Sequence, residues 1–333
     1  MLLVFKDQFS LYFRGLGNTV LLIVSLLMGM TGLASGLQVH GVFTYDVSEG
    51  GTNLAVIWRC SKTASGHVEV PSKIGNANVI AVSTNAFLDC NLITSVTLPE
   101  GVVAIGQQCF KNCSALTSVS IPSSVERIRQ QAFENCTSLT DITLPAGLLL
   151  LEQSAFQNCS SLEKAYFLGG TPGTLGEGIF EGVAPAFAVY HFDGAAGFAS
   201  STWQGHPTVN MGSPTPVKNW LVANHQPHDA SMDSDPNQDG VNLVMAYALK
   251  LDPRQNLSGS LPKPVLSQNE MSLKYHAGAP GVTYEVLTST DMVEWDNAGI
   301  VFGELDVEQN RTATVSRDEP AKFMRLNVYL LLP

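Results

Sequence analysis

The feature that most constrains this chain is a pattern that occurs four times between residues 78 and 168, with a period of 23 residues. Each copy carries a phenylalanine, a cysteine and an aliphatic residue in register, and three copies also share a proline. The positions in register are Phe87, Phe110, Phe133 and Phe156; Cys90, Cys113, Cys136 and Cys159; Val82, Ile105, Ile128 and Leu151; and Pro99, Pro122 and Pro145. A fixed period of about 20 to 50 residues predicts a solenoid in which neighbouring copies stack on one another.

Each copy also predicts one short strand. In the segment LTSVSIP, Val119 and Ile121 alternate with Ser118 and Ser120, which is the period of two expected for a strand. Strands stacked at the repeat period would form a parallel sheet along one face, and the proline that follows would end each strand because it has no N–H to donate. We expect the other apolar positions, such as Ile105, to fill the core from the opposite side of the coil.

The outward strand positions are the candidate ligand-binding face, because extended repeat arrays usually bind partners through this surface. These positions are Ser95, Thr97, Ser118, Ser120, Asp141, Thr143, Lys164 and Tyr166. The alternative is that they are ordinary polar strand residues without a ligand. Binding hot spots favour tryptophan, tyrosine and arginine, and Tyr166 alone in this set has that character.

The repeat consensus, LTSVTLP followed by valine, isoleucine, Ala-Phe and cysteine at fixed intervals, resembles the BspA-like leucine-rich repeat family. This family occurs in exported and cell-surface proteins of bacteria and some protists. The resemblance covers about residues 40–211. It implies a leucine-rich-repeat solenoid with a parallel β-face, a role in adhesion or protein binding, and no catalytic residues.

The amino-terminal segment, residues 1–36, has the order of a signal peptide. Lys6 and Arg14 precede an apolar run, Thr19 to Met30, and small residues follow at Ala34 and Gly36, after either of which cleavage is expected. The run is shorter than the roughly 20 residues of a membrane span. The segment therefore predicts a secreted or cell-surface protein without an integral membrane segment after cleavage, and an uncleaved anchor is the alternative.

The rest of the chain divides by its changes in pattern. Alternating runs flank the repeats, and a stretch rich in proline, aspartate and asparagine then leads to a predicted short helix and to further alternating runs. Residues 282–299, VTYEVLTSTDMVEWDNAG, resemble the C-terminal β-modules of exported bacterial surface proteins. The predicted segments are an N-terminal β cap (37–77), four leucine-rich repeats (78–168), a C-terminal cap (169–211), a linker with an acidic loop and a short helix (212–263) and a small all-β, sandwich-like module (264–333).

The chain has six cysteines, and an even number of cysteines in an exported protein can indicate disulfides. They are Cys60, Cys90, Cys109, Cys113, Cys136 and Cys159. Four of them hold one repeat position, so we interpret them as a column of buried free thiols that act as small apolar groups. The same copies create Asn-Cys-Ser or Asn-Cys-Thr triplets at Asn112, Asn135 and Asn158, which match the glycosylation sequon but favour tight turns here.

The acidic loop matches the first half of an EF-hand calcium loop. Its candidate ligands are Asp235, Asn237, Asp239 and the carbonyl of Val241. A bidentate glutamate is expected at the twelfth position, where this chain has Ala246. The hypothesis is therefore a weak calcium site at most, with a helix-capping turn as the alternative, and no other cofactor is expected.

Charge and motifs narrow the function. A net charge of −11 argues against nucleic acid as a partner. His225 and His228 have the spacing H-x2-H on a proline-broken loop, unlike the helical H-E-x-x-H of metallohydrolases, and no nucleophile or phosphate-binding motif occurs. We predict an exported, non-catalytic adhesion or protein-binding protein whose partner is a protein or a surface glycan. The alternatives are a purely structural spacer of the cell envelope or extracellular matrix and, third, a hydrolase accessory protein.

Overall fold

The computed structural model describes residues 38–47, 53–316 and 322–331. The predicted signal peptide, residues 1–36, lies outside the described residues. The chain forms two compact units, one ending at Ser213 and the other beginning at Pro214. The first unit contains the repeats and the second contains the acidic loop and the carboxyl-terminal strands.

The first unit begins with antiparallel strands and changes to parallel pairing. Strands β1 (Gln38–His40), β2 (Phe43–Val47) and β3 (Leu54–Cys60) pair antiparallel in that order. Strand β3 then pairs parallel with β6 (Ala77–Val82), which also carries the short antiparallel strand β5 (Lys73–Ile74). Strand β3 is therefore the point at which the chain enters the solenoid.

One side of the solenoid is a ladder of two-residue strands that continues from β6. They are β8 (Ala104–Ile105), β10 (Arg127–Ile128), β12 (Leu150–Leu151) and β14 (Thr174–Leu175), each parallel to the next. The repeat pattern predicts the buried members of this ladder as core, but it does not predict strands there. Two residues are too short to show the alternation from which a strand is recognised.

A second side holds the strands that the alternation predicts. One sheet contains β4 (Gly66–Glu69), β7 (Ile93–Thr97) and β9 (Ser118–Ser120). The other contains β11 (Asp141–Leu144), β13 (Lys164–Phe167), β15 (Ala188–His191), β17 (His206–Asn210) and, antiparallel at its edge, β16 (Thr202–Trp203). The stacked copies pair in parallel, which confirms the predicted leucine-rich-repeat solenoid with a parallel β-face.

A third side consists of turns in which two residues per copy have left-handed backbone angles. The pairs are Asn85 and Asp89, Gln108 and Asn112, Gln131 and Asn135, Ser154 and Asn158, and finally Gly178 and Gly182. The N–H groups of one turn donate to the carbonyls of the next, as from Phe110 to Ala132 and from Phe133 to Ala155, both at 2.7 Å. The turns thus form a third backbone ladder along the solenoid.

The core is a stack of phenylalanine rings enclosed by these three sides. Successive rings of Phe87, Phe110, Phe133 and Phe156 have centroids 4.7 to 5.1 Å apart, and Phe180 extends the stack at 5.4 Å. All six cysteines are buried free thiols, which confirms the interpretation from the sequence. Aromatic stacking and thiol packing therefore repeat along the whole row, as the in-register positions predict.

The second unit contains two helices, α1 (Pro216–Ala223) and α2 (Leu243–Ala248), and two antiparallel sheets. The strands are β18 (Val265–Leu266), β19 (Glu270–His276), β20 (Val282–Ser289), β21 (Val301–Phe302), β22 (Asn310–Ser316) and β23 (Phe323–Leu330). Sheet β18-β19-β22-β21 and sheet β20-β23 share one apolar core, which includes Met271, Leu273, Val286 and Met324. The antiparallel sheets predicted for the carboxyl-terminal module are thereby confirmed, and the compact unit that contains them also includes the two helices.

Only one of the two helices lies where the sequence predicts a helix. Helix α2 occupies the middle of the segment in which the sequence predicts a helix, and the side chain of Asn242 caps its first turn. Helix α1 was not predicted, although Thr215 caps it and Pro216 opens it, a combination that favours a helix start. Its eight residues are too few for a clear helical period beside a proline-rich stretch.

Candidate functional site

The predicted ligand-binding face lies on the strands of the second side, where alternation directs one set of residues into the core and the other outward. The register pairs Ser95 with Ser118, Thr97 with Ser120, Asp141 with Lys164, and Thr143 with Tyr166. The structure therefore brings the eight residues together in two groups of four, one on each sheet. The ligand-binding role of this face remains a prediction.

Exposure divides the predicted residues. Thr143 is 7% exposed and Tyr166 is 3% exposed, and the Tyr166 ring packs on Tyr190 with centroids 4.9 Å apart. The other six residues are partly exposed. A partner that approaches this face would therefore meet serine, threonine, aspartate and lysine rather than the tyrosine that the sequence favours as an anchor.

Three further residues extend the face beyond the predicted set. His67 and Glu69 on β4 pair with Ser95 and Thr97, and the His67 Nδ1 atom lies 2.9 Å from the Ser95 Oγ atom. Tyr190 on β15 follows Tyr166 in register. The period of 23 does not find His67, because 28 residues separate it from Ser95. The alternation in AVYHF is the signal that could have placed Tyr190.

The asparagine side chains of the three glycosylation sequons form hydrogen bonds within the solenoid. The Asn112 amide donates to Asp89 at 2.8 Å, the Asn135 amide to Asn112 at 2.8 Å, and the Asn158 amide to Asn135 at 3.1 Å. Each of these asparagines also has left-handed backbone angles, which asparagine tolerates better than most residues. The turn interpretation therefore accounts for all three positions.

Three of the thiols, those of Cys109, Cys113 and Cys136, have the character of structural groups rather than nucleophiles. Cys113, Cys136 and Cys159 each donate to the carbonyl of a phenylalanine in an earlier copy, at 3.1 Å. Burial raises the pKa of Cys113 to about 12 and raises the pKa of Cys109 and Cys136 well above the usual range. A thiol, not the reactive thiolate, is thus the stable form at neutral pH.

The acidic loop directs its carboxylates toward backbone N–H groups. Asp235 accepts from the N–H groups of Asp239 and Gly240, while Asp239 accepts from those of Val241 and Leu257. The Leu257 N–H contributes most to lowering the pKa of Asp239. Asn237 donates to Asp239 and to a backbone carbonyl. These contacts close a turn that precedes helix α2, whose cap is Asn242, and the weak calcium site remains a prediction.

Metal centres in proteins are built from several histidine, cysteine or carboxylate side chains that lie close together. Within residues 38–47, 53–316 and 322–331, no three histidine, cysteine, aspartate or glutamate side chains come together in a way that could hold a metal ion. In the second unit, Trp295 is covered on one face by the Arg325 guanidinium, 4.3 Å from the ring centroid. Trp295 is therefore a half-buried cation–π partner of Arg325.

The regular solenoid and its repeat chemistry agree with comparison to a protein family. Residues 69–184 match the family model described as "BspA type Leucine rich repeat region", with six copies. The repeat region of this chain therefore matches the BspA-type leucine-rich repeat family, as its motifs indicate. In the described part of the chain, none of the helices has the length and apolar character that a membrane span requires. No curated protein matches the chain.

Several solved structures are similar to part of the chain. A leucine-rich repeat protein of T. pallidum is 29% identical over 46% of this chain and 71% of its own, with a TM-score of 0.41. A leucine-rich repeat protein from Bacteroides capillosus is 25% identical over 40% of this chain and 99% of its own, with a TM-score of 0.36. A leucine-rich cell surface protein from Faecalibacterium prausnitzii is 19% identical over 48% of this chain and 55% of its own, with a TM-score of 0.35.

Proposed function

We propose that this chain is an exported, non-catalytic protein of the cell surface or the extracellular space, and that its solenoid binds a protein through the outward strand face. The observation that carries the proposal is the arrangement of partly exposed polar residues in register on adjacent strands. Ser95 and Ser118 form one such pair, and Asp141 and Lys164 form another. The match of residues 69–184 to the BspA-type family supports the same role.

The charged pair Asp141 and Lys164 is the part of the face where specificity would reside. The two residues are register partners on β11 and β13, and both are partly exposed. Charged groups on a binding surface select partners and speed association, since they attract a complementary potential and repel a similar one. Serine and threonine on the neighbouring strands would add hydrogen bonds with little selectivity.

A pull-down with the purified full chain tests this function. The bait is compared with Lys164→Glu, which reverses a charge on the face, and with Lys73→Glu, a matched control at an exposed lysine of β5. We expect one or more extracellular proteins to be retained by the unaltered chain and by the control, and to be retained about fivefold less by Lys164→Glu, a loss of about 1 kcal/mol.

The structural-spacer alternative predicts a different outcome. A spacer would retain no partner with any of the three baits, and a partner retained equally by all three would place binding elsewhere on the chain. Circular dichroism spectra of the variants must match that of the unaltered chain, because a folding defect would also reduce retention. Either of the two contrary outcomes would refute the proposed face.

A further inference from the structure

The turn ladder of the solenoid ends at residues 177–182, which form the last turn that accepts hydrogen bonds from a preceding copy. In each inner copy, three N–H groups at alternate residues donate to three carbonyls of the next copy. The last complete set is Ser154 to Glu177 at 3.0 Å, Phe156 to Ile179 at 2.9 Å and Asn158 to Glu181 at 2.7 Å. The acceptor copy in this set, residues 177–182, is the final turn of the ladder, and we call it the terminal turn.

The equivalent three donors of the terminal turn are the N–H groups of Gly178, Phe180 and Gly182. Among the residues that the structure describes, none accepts a hydrogen bond from these three groups. Gly178 and Gly182 keep the left-handed angles of the inner copies, with φ of 62° and 73°, so the donors keep the orientation that the ladder imposes. The solenoid therefore ends in three aligned and unpaired donors, a pattern otherwise found at an open sheet edge.

A cavity of about 500 Å³ is lined by the residues of the terminal turn that carry these donors. Its walls are the terminal turn, the following apolar residues Val183 and Pro185, and the turn of the β16–β17 hairpin with Gln204 and His206. Strand β17 of the hairpin pairs with β15, and the His206 ring packs on Phe187 with centroids 4.9 Å apart. The cavity thus offers room for a chain segment beside the donors.

The charged residues around the terminal turn determine which kind of ligand this cavity favours. Glu177 and Glu181 are exposed on the terminal turn, and the Glu181 carboxylate accepts from the Gln157 amide at 2.8 Å. Burial lowers the pKa of His206, so its imidazole is uncharged at neutral pH and does not offset the two carboxylates. An anionic ligand is therefore disfavoured, although backbone donors would otherwise suit it.

We propose that the terminal turn binds an extended peptide segment of a partner protein, one that presents carbonyls at alternate residues to Gly178, Phe180 and Gly182 and a basic side chain to Glu181. The inner copies supply the template, because each of them receives the same three donors with carbonyls at alternate residues. An added peptide would continue the ladder by one row, as peptides do at open sheet edges. This site is separate from the strand face and does not depend on its function.

Amide NMR of the full chain tests the proposal in two steps. In the free protein, the N–H groups of Gly178, Phe180 and Gly182 should exchange with solvent at least about tenfold faster than those of Ser154, Phe156 and Asn158, since only the latter are paired. Protection of the first three equal to that of the inner copy would show that the ladder is already closed and would overturn the proposal.

The second step adds a peptide. The probe is an acetylated and amidated pentapeptide that alternates alanine and lysine, and its counterpart alternates alanine and glutamate. We expect the lysine peptide, at concentrations up to about 10 mM, to shift the three terminal amide resonances saturably and to slow their exchange, while the glutamate peptide binds at least about twofold more weakly. Absence of a response to the lysine peptide, or equal binding of both peptides, would overturn the proposal.

Two charge-reversal variants provide the matched comparison. Glu181→Lys should weaken the lysine peptide about two- to fivefold, as expected for one exposed ion pair. Glu100→Lys makes the same charge change at an exposed residue of the first copy and should leave the affinity unchanged. Unshifted resonances of the inner copy establish that each variant is folded, and equal weakening by both variants would refute a local contact with Glu181.

Discussion

The solenoid and the second unit pair their backbone groups in different ways. In the solenoid, one arrangement of strand, turn and stacked ring recurs in every copy, so each row completes the hydrogen bonds of the row before it. In the second unit, individual side chains serve individual turns: Asp306 accepts from the N–H groups of Glu308 and Asn310, and Asp291 accepts from those of Val293 and Glu294. Stability is thus shared along the first unit and local in the second.

This difference predicts which substitutions should reduce the stability of the protein most. A buried residue of an inner copy contacts equivalent residues on both sides, so its loss affects two interfaces at once. A turn carboxylate of the second unit is exposed and serves one loop. The following predictions test this contrast, in order of decreasing effect.

The largest effect should come from Phe133→Ala. The Phe133 ring is fully buried, with its neighbours in the stack at 5.1 and 5.0 Å, so its removal leaves a cavity at two interfaces. We expect a loss of about 3 to 5 kcal/mol in the free energy of unfolding, measured by urea denaturation. Phe302→Ala, at a ring 45% exposed on β21, should change it by about 0.5 kcal/mol or less. Similar losses in the two variants would contradict the contrast.

Tyr284→Phe should have the next largest effect and should be confined to the second unit. The Tyr284 hydroxyl donates to the carbonyl of Ala248 at 2.8 Å and accepts from the N–H of Ala279 at 3.1 Å. Its removal leaves both groups without this partner and should cost about 1 to 3 kcal/mol. Tyr329→Phe, at a side chain 51% exposed, is the control and should have little effect. An equal shift of the solenoid's thermal transition would show that the units are not independent.

Replacement of Asn135, which has left-handed backbone angles in its turn, should have a smaller effect whose size depends on the new residue. At φ of 62°, alanine pays a conformational cost of about 1 to 2 kcal/mol that glycine avoids, and both lose the amide contacts to Asn112 and Asn158. Thermal denaturation should therefore rank the melting temperatures as unaltered chain, Asn135→Gly and Asn135→Ala. If alanine were tolerated better than glycine, backbone strain would not be the controlling factor.

The smallest predicted effect is the dependence of stability on acid pH that arises from Asp306. The N–H of Asn310, more than the Lys274 ammonium 3.0 Å away, lowers the pKa of Asp306 to about 2. Because the folded-state pKa lies below the unfolded value of about 3.9, the contribution of Asp306 is present above pH 4 and is lost as the pH falls toward 2. Melting curves at pH 7, 4, 3 and 2 should show a smaller acid-induced decrease for Asp306→Asn than for the unaltered chain. Parallel decreases would mean that other groups dominate.

Much of the solenoid could be predicted from the sequence because its copies carry the same residues. The phenylalanine and cysteine positions predict the ring stack and the thiol column, and alternation predicts the strands β7, β9, β11 and β13. The two-residue ladder could not be predicted, since it carries no alternation. The buried state of Thr143 and Tyr166 on the candidate face depends on what packs against them, which position in a repeat does not reveal.

The sequence by itself determined the period, the core residues and the direction in which the strand side chains alternate, because these follow from local geometry repeated at a constant interval. Only the tertiary structure decided how the array ends. The terminal turn keeps the backbone angles of its predecessors, with glycine at both left-handed positions, yet its residues line a cavity and its three N–H groups have no acceptor in the described part of the chain. Hydrogen bonds between copies depend on which segments lie next to one another in the folded chain. The residues of the last copy therefore do not show by themselves that no further copy pairs with them.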